Sequence, residues 1–170
     1  MRLLRNLDAL LLRAEEGVIG VLLITASLVL FANVVARYGF NDSFPWAEEL
    51  TRYAIVWMVF IGSSLAASKG AHISVDVLMR LLGKSGAGKA LIVGVDLLCT
   101  ALSVLLVVFG WDLVAQAREF GQVTPSLQVP LWAVQLAMPV GGALMTLRFA
   151  QRFFADLAGD IKAPSVDISS

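Results

Sequence analysis

The ionisable side chains of this chain are few, and most of them lie at the ends of long apolar segments. Glu48 and Glu49 precede Arg52 by four and three residues, just before an uncharged segment. Charges this close to hydrocarbon are costly unless a partner neutralises them. Two local explanations exist, because carboxylates favour a helix start and because this spacing allows charge pairing with Arg52 within one helix. The neighbouring Trp46 and the presence of two acids favour contact with another protein.

Three further residues could carry chemistry. His72 and Asp76 are four residues apart and could share one helical face. Because one histidine rarely holds a metal, we expect this pair to order a loop through a hydrogen bond. Asp96 lies inside an apolar segment, about 9 Å from its cytoplasmic end by helical rise. It could carry a coupling proton, but we favour a structural role, with headgroups or with a partner between helices.

Enzymes of several classes are excluded by the residue inventory. The chain has one histidine and one cysteine, Cys99. A membrane cytochrome of this size needs paired histidine ligands, and a thiol oxidase needs paired cysteines. The formal net charge is zero and no basic run is present, so nucleic acid binding has no support. We expect no catalytic residue, metal site or cofactor in this chain.

The composition predicts an integral membrane protein. Hydrophobic residues make up 58% of the chain and the mean hydropathy is +0.81, far above the values of soluble domains. Bilayer crossing takes roughly 20 apolar residues. The predicted fold is all-α, a single four-helix transmembrane domain over 1–160 followed by a polar cytoplasmic tail, 161–170. The four predicted spans are 17–36, 50–68, 90–111 and 127–147.

Orientation follows from the basic residues, which stay on the cytoplasmic side in short loops. Only Arg37, Arg52 and Arg118 lie on one side of the predicted spans, and the other basic residues lie opposite. Both termini are therefore predicted to be cytoplasmic. Residues 2–16 have an apolar stripe that predicts an amphipathic interfacial helix, with a simple extension of the first span as the alternative. That span is too long for a signal peptide and is predicted to be retained.

Small and polar residues in the fourth span allow two interpretations. Gln135, Pro139, Gly141 and Gly142 could produce a kink that exposes backbone, as in transporter binding sites. They could equally let neighbouring helices approach closely. We favour close packing.

The segment from Arg37 to Asp76 resembles the signature region of the small membrane subunit of tripartite ATP-independent periplasmic (TRAP) transporters, the DctQ family. Chain length and the four-span plan also fit. The segment is about a quarter of the chain, and its matching positions are Arg37, Tyr38, Asn41, Trp46, Glu48, Glu49, Leu50, Arg52, Gly62, Ala66, His72, Ile73, Val75 and Asp76.

The resemblance implies a non-catalytic subunit of the bacterial inner membrane. It implies a larger membrane subunit that holds the substrate and sodium sites, and a periplasmic protein that captures an organic acid. The small subunit would then scaffold the static part of its large partner, with lipids filling gaps between them. Residues expected to form the subunit interface or fix the second helix are Arg37, Tyr38, Trp46, Glu48, Glu49 and Arg52, while His72 and Asp76 order the cytoplasmic loop.

Two segments, 37–42 and 112–126, are predicted to face the periplasm and could meet the binding protein. The main alternative function is an independent four-helix proton-coupled transporter that relies on Asp96. A third reading is an adaptor for another membrane enzyme. The residues that would select a solute belong to other chains, so the sequence does not predict the substrate.

Overall fold

The computed structural model describes residues 2–68 and 86–157, and this part of the chain is helical apart from its connecting loops. Its helices are α1 (Arg2–Gly39), α2 (Pro45–Ser68), α3 (Gly86–Glu119), α4 (Leu131–Gln135) and α5 (Ala137–Leu157). The described residues form no strand, only an isolated bridge between Val123 and Pro130. The predicted all-α fold class is confirmed. His72, Asp76 and the tail 161–170 lie outside the described residues.

Four helical segments are long and apolar enough to cross a membrane. They cover Leu10–Gly39, Pro45–Ser68, Val93–Glu119 and Leu131–Gln151. The last of these combines α4 with most of α5. The prediction of four spans is therefore confirmed.

Helix α1 is continuous from the amphipathic segment into the first span. Its 38 residues give a length of about 57 Å, against a hydrocarbon core of about 30 Å. Part of α1 must therefore extend beyond the core unless the helix is strongly tilted. The interfacial position of residues 2–16 stays a prediction.

The helices form an open layer in the order α1, α2, α5, α3. Helix α2 packs between α1 and α5, and α5 packs between α2 and α3. Within the described ranges, the backbones of α1 and α3 are not in contact, nor are those of α2 and α3. A closed four-helix bundle would bring such pairs together, so this arrangement leaves more apolar surface uncovered than a bundle does.

Glycines allow the close approach of the central helices. A Cβ atom on Gly141 of α5 would lie 2.6 Å from Phe60 Cβ of α2, and one on Gly110 of α3 would lie 2.8 Å from Pro139 Cδ. A Cβ atom on Gly142 of α5 would lie 3.1 Å from Val107 Cγ2 of α3. These distances leave no room for a larger residue without helix movement. The preference for close packing is confirmed.

The backbone hydrogen bonds of the fourth span are interrupted between α4 and α5, although Leu136 itself keeps helical dihedral angles of φ −56° and ψ −23°. Pro139 has no N–H group, so it cannot donate to the carbonyl of Gln135 four residues earlier. The helix resumes because Val140 N donates to Leu136 O at 3.1 Å. Pro139 thus removes one backbone hydrogen bond from the span, and Gly141 and Gly142 let the span pack closely against α2 and α3.

A short hairpin-like loop connects α3 to α4. Helix α3 ends in a Schellman motif, with Gly121 at φ 59° and with Gln122 N donating to Ala117 O at 3.0 Å. Leu131 N donates back to Gln122 O at 2.9 Å, and Thr124 N donates to Val129 O at 2.9 Å. These bonds hold the loop in one conformation against the end of α2.

Candidate functional site

The turn between α1 and α2 is held by polar bonds that fix where α2 begins. Phe44 N donates to the buried Asn33 Oδ1 at 2.7 Å. Asn41 adopts φ 55°, which asparagine tolerates better than most residues. Pro45 then occupies the first helical position, where its missing N–H costs nothing. Glu48 therefore lies in the first turn of α2, in agreement with the helix-start explanation for these acids.

Glu49 connects the start of α2 to the loop between α3 and α4. Its carboxylate accepts hydrogen bonds from the hydroxyl of Tyr53 at 2.5 Å and from the backbone N–H groups of Ser126 and Leu127 at 2.8 and 3.1 Å. Its residue is 7% exposed. These four residues are termed the Glu49 cluster. Three donors converge on one carboxylate, so the loop is anchored to α2 although it is 77 residues away in sequence.

Glu48 pairs across the turn, with Arg37 at the end of α1. The Arg37 Nη2 to Glu48 Oε1 distance is 2.5 Å, and both side chains are about half exposed, 52% and 50%. Pairing with Arg52 within α2 was one of the local alternatives that the spacing allowed, and the structure does not show it. Among the described residues, the ion pairs and hydrogen bonds of Glu48 and Glu49 go to other groups, because Arg37 and the loop N–H groups lie closer to them.

Two aromatic residues of the predicted interface are exposed. Tyr38 is 84% exposed and Trp46 is 41% exposed, and the ring of Trp46 lies 5.9 Å from that of Phe44. Amphipathic rings at the end of a span are typical of the membrane–water interface. The predicted interface residues all lie near the turn between α1 and α2: Arg37, Tyr38, Trp46, Glu48, Glu49 and Arg52. Arg37 pairs with Glu48, whereas Glu49 binds Tyr53 and the loop.

A second polar cluster lies near the opposite end of α2 and was not predicted. Arg148 Nη2 of α5 donates to Glu15 Oε2 of α1 at 2.6 Å, and Ser64 Oγ of α2 donates to Glu15 Oε1 at 3.2 Å. The Arg148 and Glu15 side chains are only 11% and 6% exposed. This Glu15 cluster joins three helices, including two whose backbones do not touch. Its signal in the sequence was weak: one acid just before the first span and one arginine just after the last, on the same predicted side.

The two clusters are separated along α2 by the fifteen residues from Glu49 to Ser64, about 22 Å of helix. Each holds its buried charges by hydrogen bonds from other helices or loops, the arrangement that buried charges require. Within residues 2–68 and 86–157, no group of three His, Cys, Asp or Glu residues could hold a metal ion. The contacts that the structure shows for these two clusters join helices and a loop to one another.

Asp96 is enclosed by the helices. Its residue is 2% exposed on α3, so its side chain does not face the lipid. One turn later, Thr100 Oγ1 donates to the Asp96 carbonyl at 2.7 Å. This burial favours the structural role predicted for Asp96 through a partner between helices rather than through headgroups, and that role stays a prediction.

Comparisons with known proteins identify the relatives of this fold. A family model described as tripartite ATP-independent periplasmic transporters, DctQ component, matches residues 26–159. The C4-dicarboxylate TRAP transporter small permease protein DctQ of Rhodobacter capsulatus is 28% identical over 89% of this chain and 78% of its own length. The ectoine TRAP transporter small permease protein TeaB of Halomonas elongata is 25% identical over 86% of this chain and 76% of its own length.

A third relative is much longer than this chain. The isethionate TRAP transporter permease protein DctMQ of Oleidesulfovibrio alaskensis is 31% identical over 69% of this chain, but the matching part is only 18% of that protein. The family is one of transporter membrane subunits, so this chain is not an enzyme. The match over most of the chain, together with four apolar spans, shows that it is a multi-pass membrane protein belonging to the DctQ family of TRAP transporter small permease subunits.

Proposed function

We propose that this chain is the non-catalytic scaffold of a TRAP transporter that takes up an organic acid with sodium. The observation that carries this proposal is how the buried charged and amide side chains are used. Asn33, Glu49, Glu15 and Arg148 all bond to other helices or loops. Transporters place such groups around a substrate at the bilayer midplane, whereas these fix the positions of helices. The alternative of an independent proton-coupled transporter relying on Asp96 gains no support from the relatives.

The open layer of helices is evidence in favour of a large membrane partner. Long apolar side chains are exposed along α1 and α3, including Phe31 at 68%, Leu28 at 63% and Leu98 at 60%. Apolar surface on this scale is covered by lipid or by another membrane protein. The DctMQ relative carries a region similar to this chain within a much longer permease. A separate large subunit would supply the corresponding partner here, and lipids would fill the remaining gaps.

The predicted orientation places the Glu49 cluster at the periplasmic side of the inner membrane, with both termini in the cytoplasm. Segments 37–42 and 112–126 lie at the same end of the molecule, because Glu49 of α2 holds Ser126 of the loop. We propose that this end faces the periplasmic binding protein. Relatives are named for C4-dicarboxylate and for ectoine, so solute choice and the sodium sites belong to the partner chains.

Affinity purification from native membranes tests the proposal. The tagged chain should bring down a large membrane protein in a defined complex. The tagged Gly94→Ala variant should bring down the same protein and serves as a control for reproducibility, because a Cβ atom at Gly94 meets nothing within 4 Å. Purification of the intact, folded chain without any larger membrane protein would contradict the scaffold function.

A further inference from the structure

Among the residues that the structure describes, the acidic neighbours of Arg52 pair with other groups and not with Arg52. Glu48 pairs with Arg37, and Glu49 binds Tyr53 and the loop. Arg52 is exposed and makes no hydrogen bond or ion pair with any residue of the described ranges. A guanidinium group is always charged and offers five donors. Its charge is therefore not balanced within the described part of the chain.

The depth of Arg52 makes this exposure costly. It lies seven residues after Pro45, about 10 Å into α2 by helical rise, and within a predicted membrane span. Charged residues in spans almost always pair with another group inside protein or in a water-filled cavity.

Arg52 begins a continuous exposed face of α2. Ile55, Val59, Ser63 and Ala66 follow at helical spacing, and all are exposed. Ile55 and Val59 expose 49% and 57% of their surface, and the Ser63 hydroxyl is satisfied by Val59 O at 2.8 Å. Arg52 is the only charged residue of this α2 stripe, and the exposed Glu48 one turn before it pairs with Arg37. The small residues at the other end of the stripe would allow a second helix to approach closely.

We infer that the α2 stripe is the docking face for a helix of the large membrane subunit, and that this helix carries a carboxylate that pairs with Arg52. The inference rests on the proposed scaffold function. The exposed faces of α1 and α3 can meet lipid without burying a charge, because their exposed midspan side chains are uncharged. Only the charge on the stripe requires a group of opposite sign. A bidentate arginine–carboxylate pair would also set the register of the two helices.

Photo-cross-linking in the assembled complex tests the docking face. A photoreactive residue placed at Ile55 or Val59 should yield an adduct with the large subunit. Matched positions on α3, Leu98 and Leu102, are 60% and 53% exposed and should yield little or none. Adducts from α3 with none from α2, or lipid adducts alone from the stripe, would overturn the inference while leaving the scaffold function intact. If the wild-type chain forms no complex, the scaffold function itself fails and the inference fails with it.

Charge variants test the role of Arg52 separately. Arg52→Glu should lower the amount of large subunit recovered per small subunit by at least about tenfold, since it places like charges together. Arg52→Lys should retain much of the binding. Arg118→Glu is the control, because Arg118 is an exposed arginine at the same end of the molecule and lies on α3. Equal recovery for Arg52→Glu and Arg118→Glu, with both variants inserted in the membrane, would contradict the proposed ion pair.

Discussion

At the scale of single residues, Glu48 and Glu49 are adjacent in sequence but differ in their surroundings. Glu48 is half exposed with one arginine partner, whereas Glu49 is buried under three donors. Exposed ion pairs contribute less than about 1 kcal/mol. Removing a buried acceptor leaves its donors without a partner, which costs more.

This difference predicts unequal effects of two neighbouring substitutions. Glu49→Ala should lower the apparent melting temperature of the purified protein in detergent by several degrees, because Tyr53 and the loop N–H groups lose their acceptor. Glu48→Ala is the matched control and should change it little. Thermal unfolding measured on both variants checks the prediction, and equal melting temperatures would show that Glu49 does not anchor the loop.

The Glu15 cluster permits a test by double substitution. Breaking a buried ion pair from one side leaves an unpaired charge and costs about 3–5 kcal/mol. Glu15→Ala and Arg148→Ala should therefore each destabilise the fold strongly. The double variant should be less destabilised than the sum of the two, because neither charge remains unpaired. Additive losses in denaturant titrations would mean that the two side chains do not interact.

At the scale of helices, the sequence predicted what depends on local composition. Four spans follow from hydropathy alone, and the start of α2 follows from Pro45. Pairings between distant residues were not predictable. Spacing allowed Arg52 as a partner of Glu48, but the fold brings Arg37 closer. Glu15 and Arg148 are 133 residues apart, and no local pattern relates them. The order of the helices in the layer could not be predicted from the spacing of apolar residues either, because that spacing describes each helix alone.

Two glycines of α3, Gly110 and Gly94, should respond differently to substitution by alanine. Gly110 of α3 lies against Pro139, whereas Gly94 of the same helix has open space around it. Gly110→Ala forces the helices apart and should destabilise the fold by about 1–3 kcal/mol. Gly94→Ala should be neutral or stabilising by up to about 1 kcal/mol, because alanine favours the helix. The difference in unfolding free energy between the two variants measures the cost of crowding at the α3–α5 contact. An unchanged stability of Gly110→Ala would contradict that close contact.

At the scale of the whole molecule, the open layer and the two polar clusters fit one role. The clusters tie three helices and a loop into a fixed unit, and the uncovered faces offer surface to a partner. A transporter acting alone needs a site whose access alternates between the two sides of the membrane. Here Asn33, Glu49, Glu15 and Arg148 bond to other helices or loops and so hold the helices in place.

Solute uptake into liposomes tests this central claim most directly. Purified chain reconstituted alone should take up no solute under an imposed sodium or proton gradient. The same chain reconstituted with its large subunit and supplied with the binding protein should support uptake, and omission of this chain should abolish it. Saturable, gradient-driven uptake by the chain alone would contradict the scaffold account.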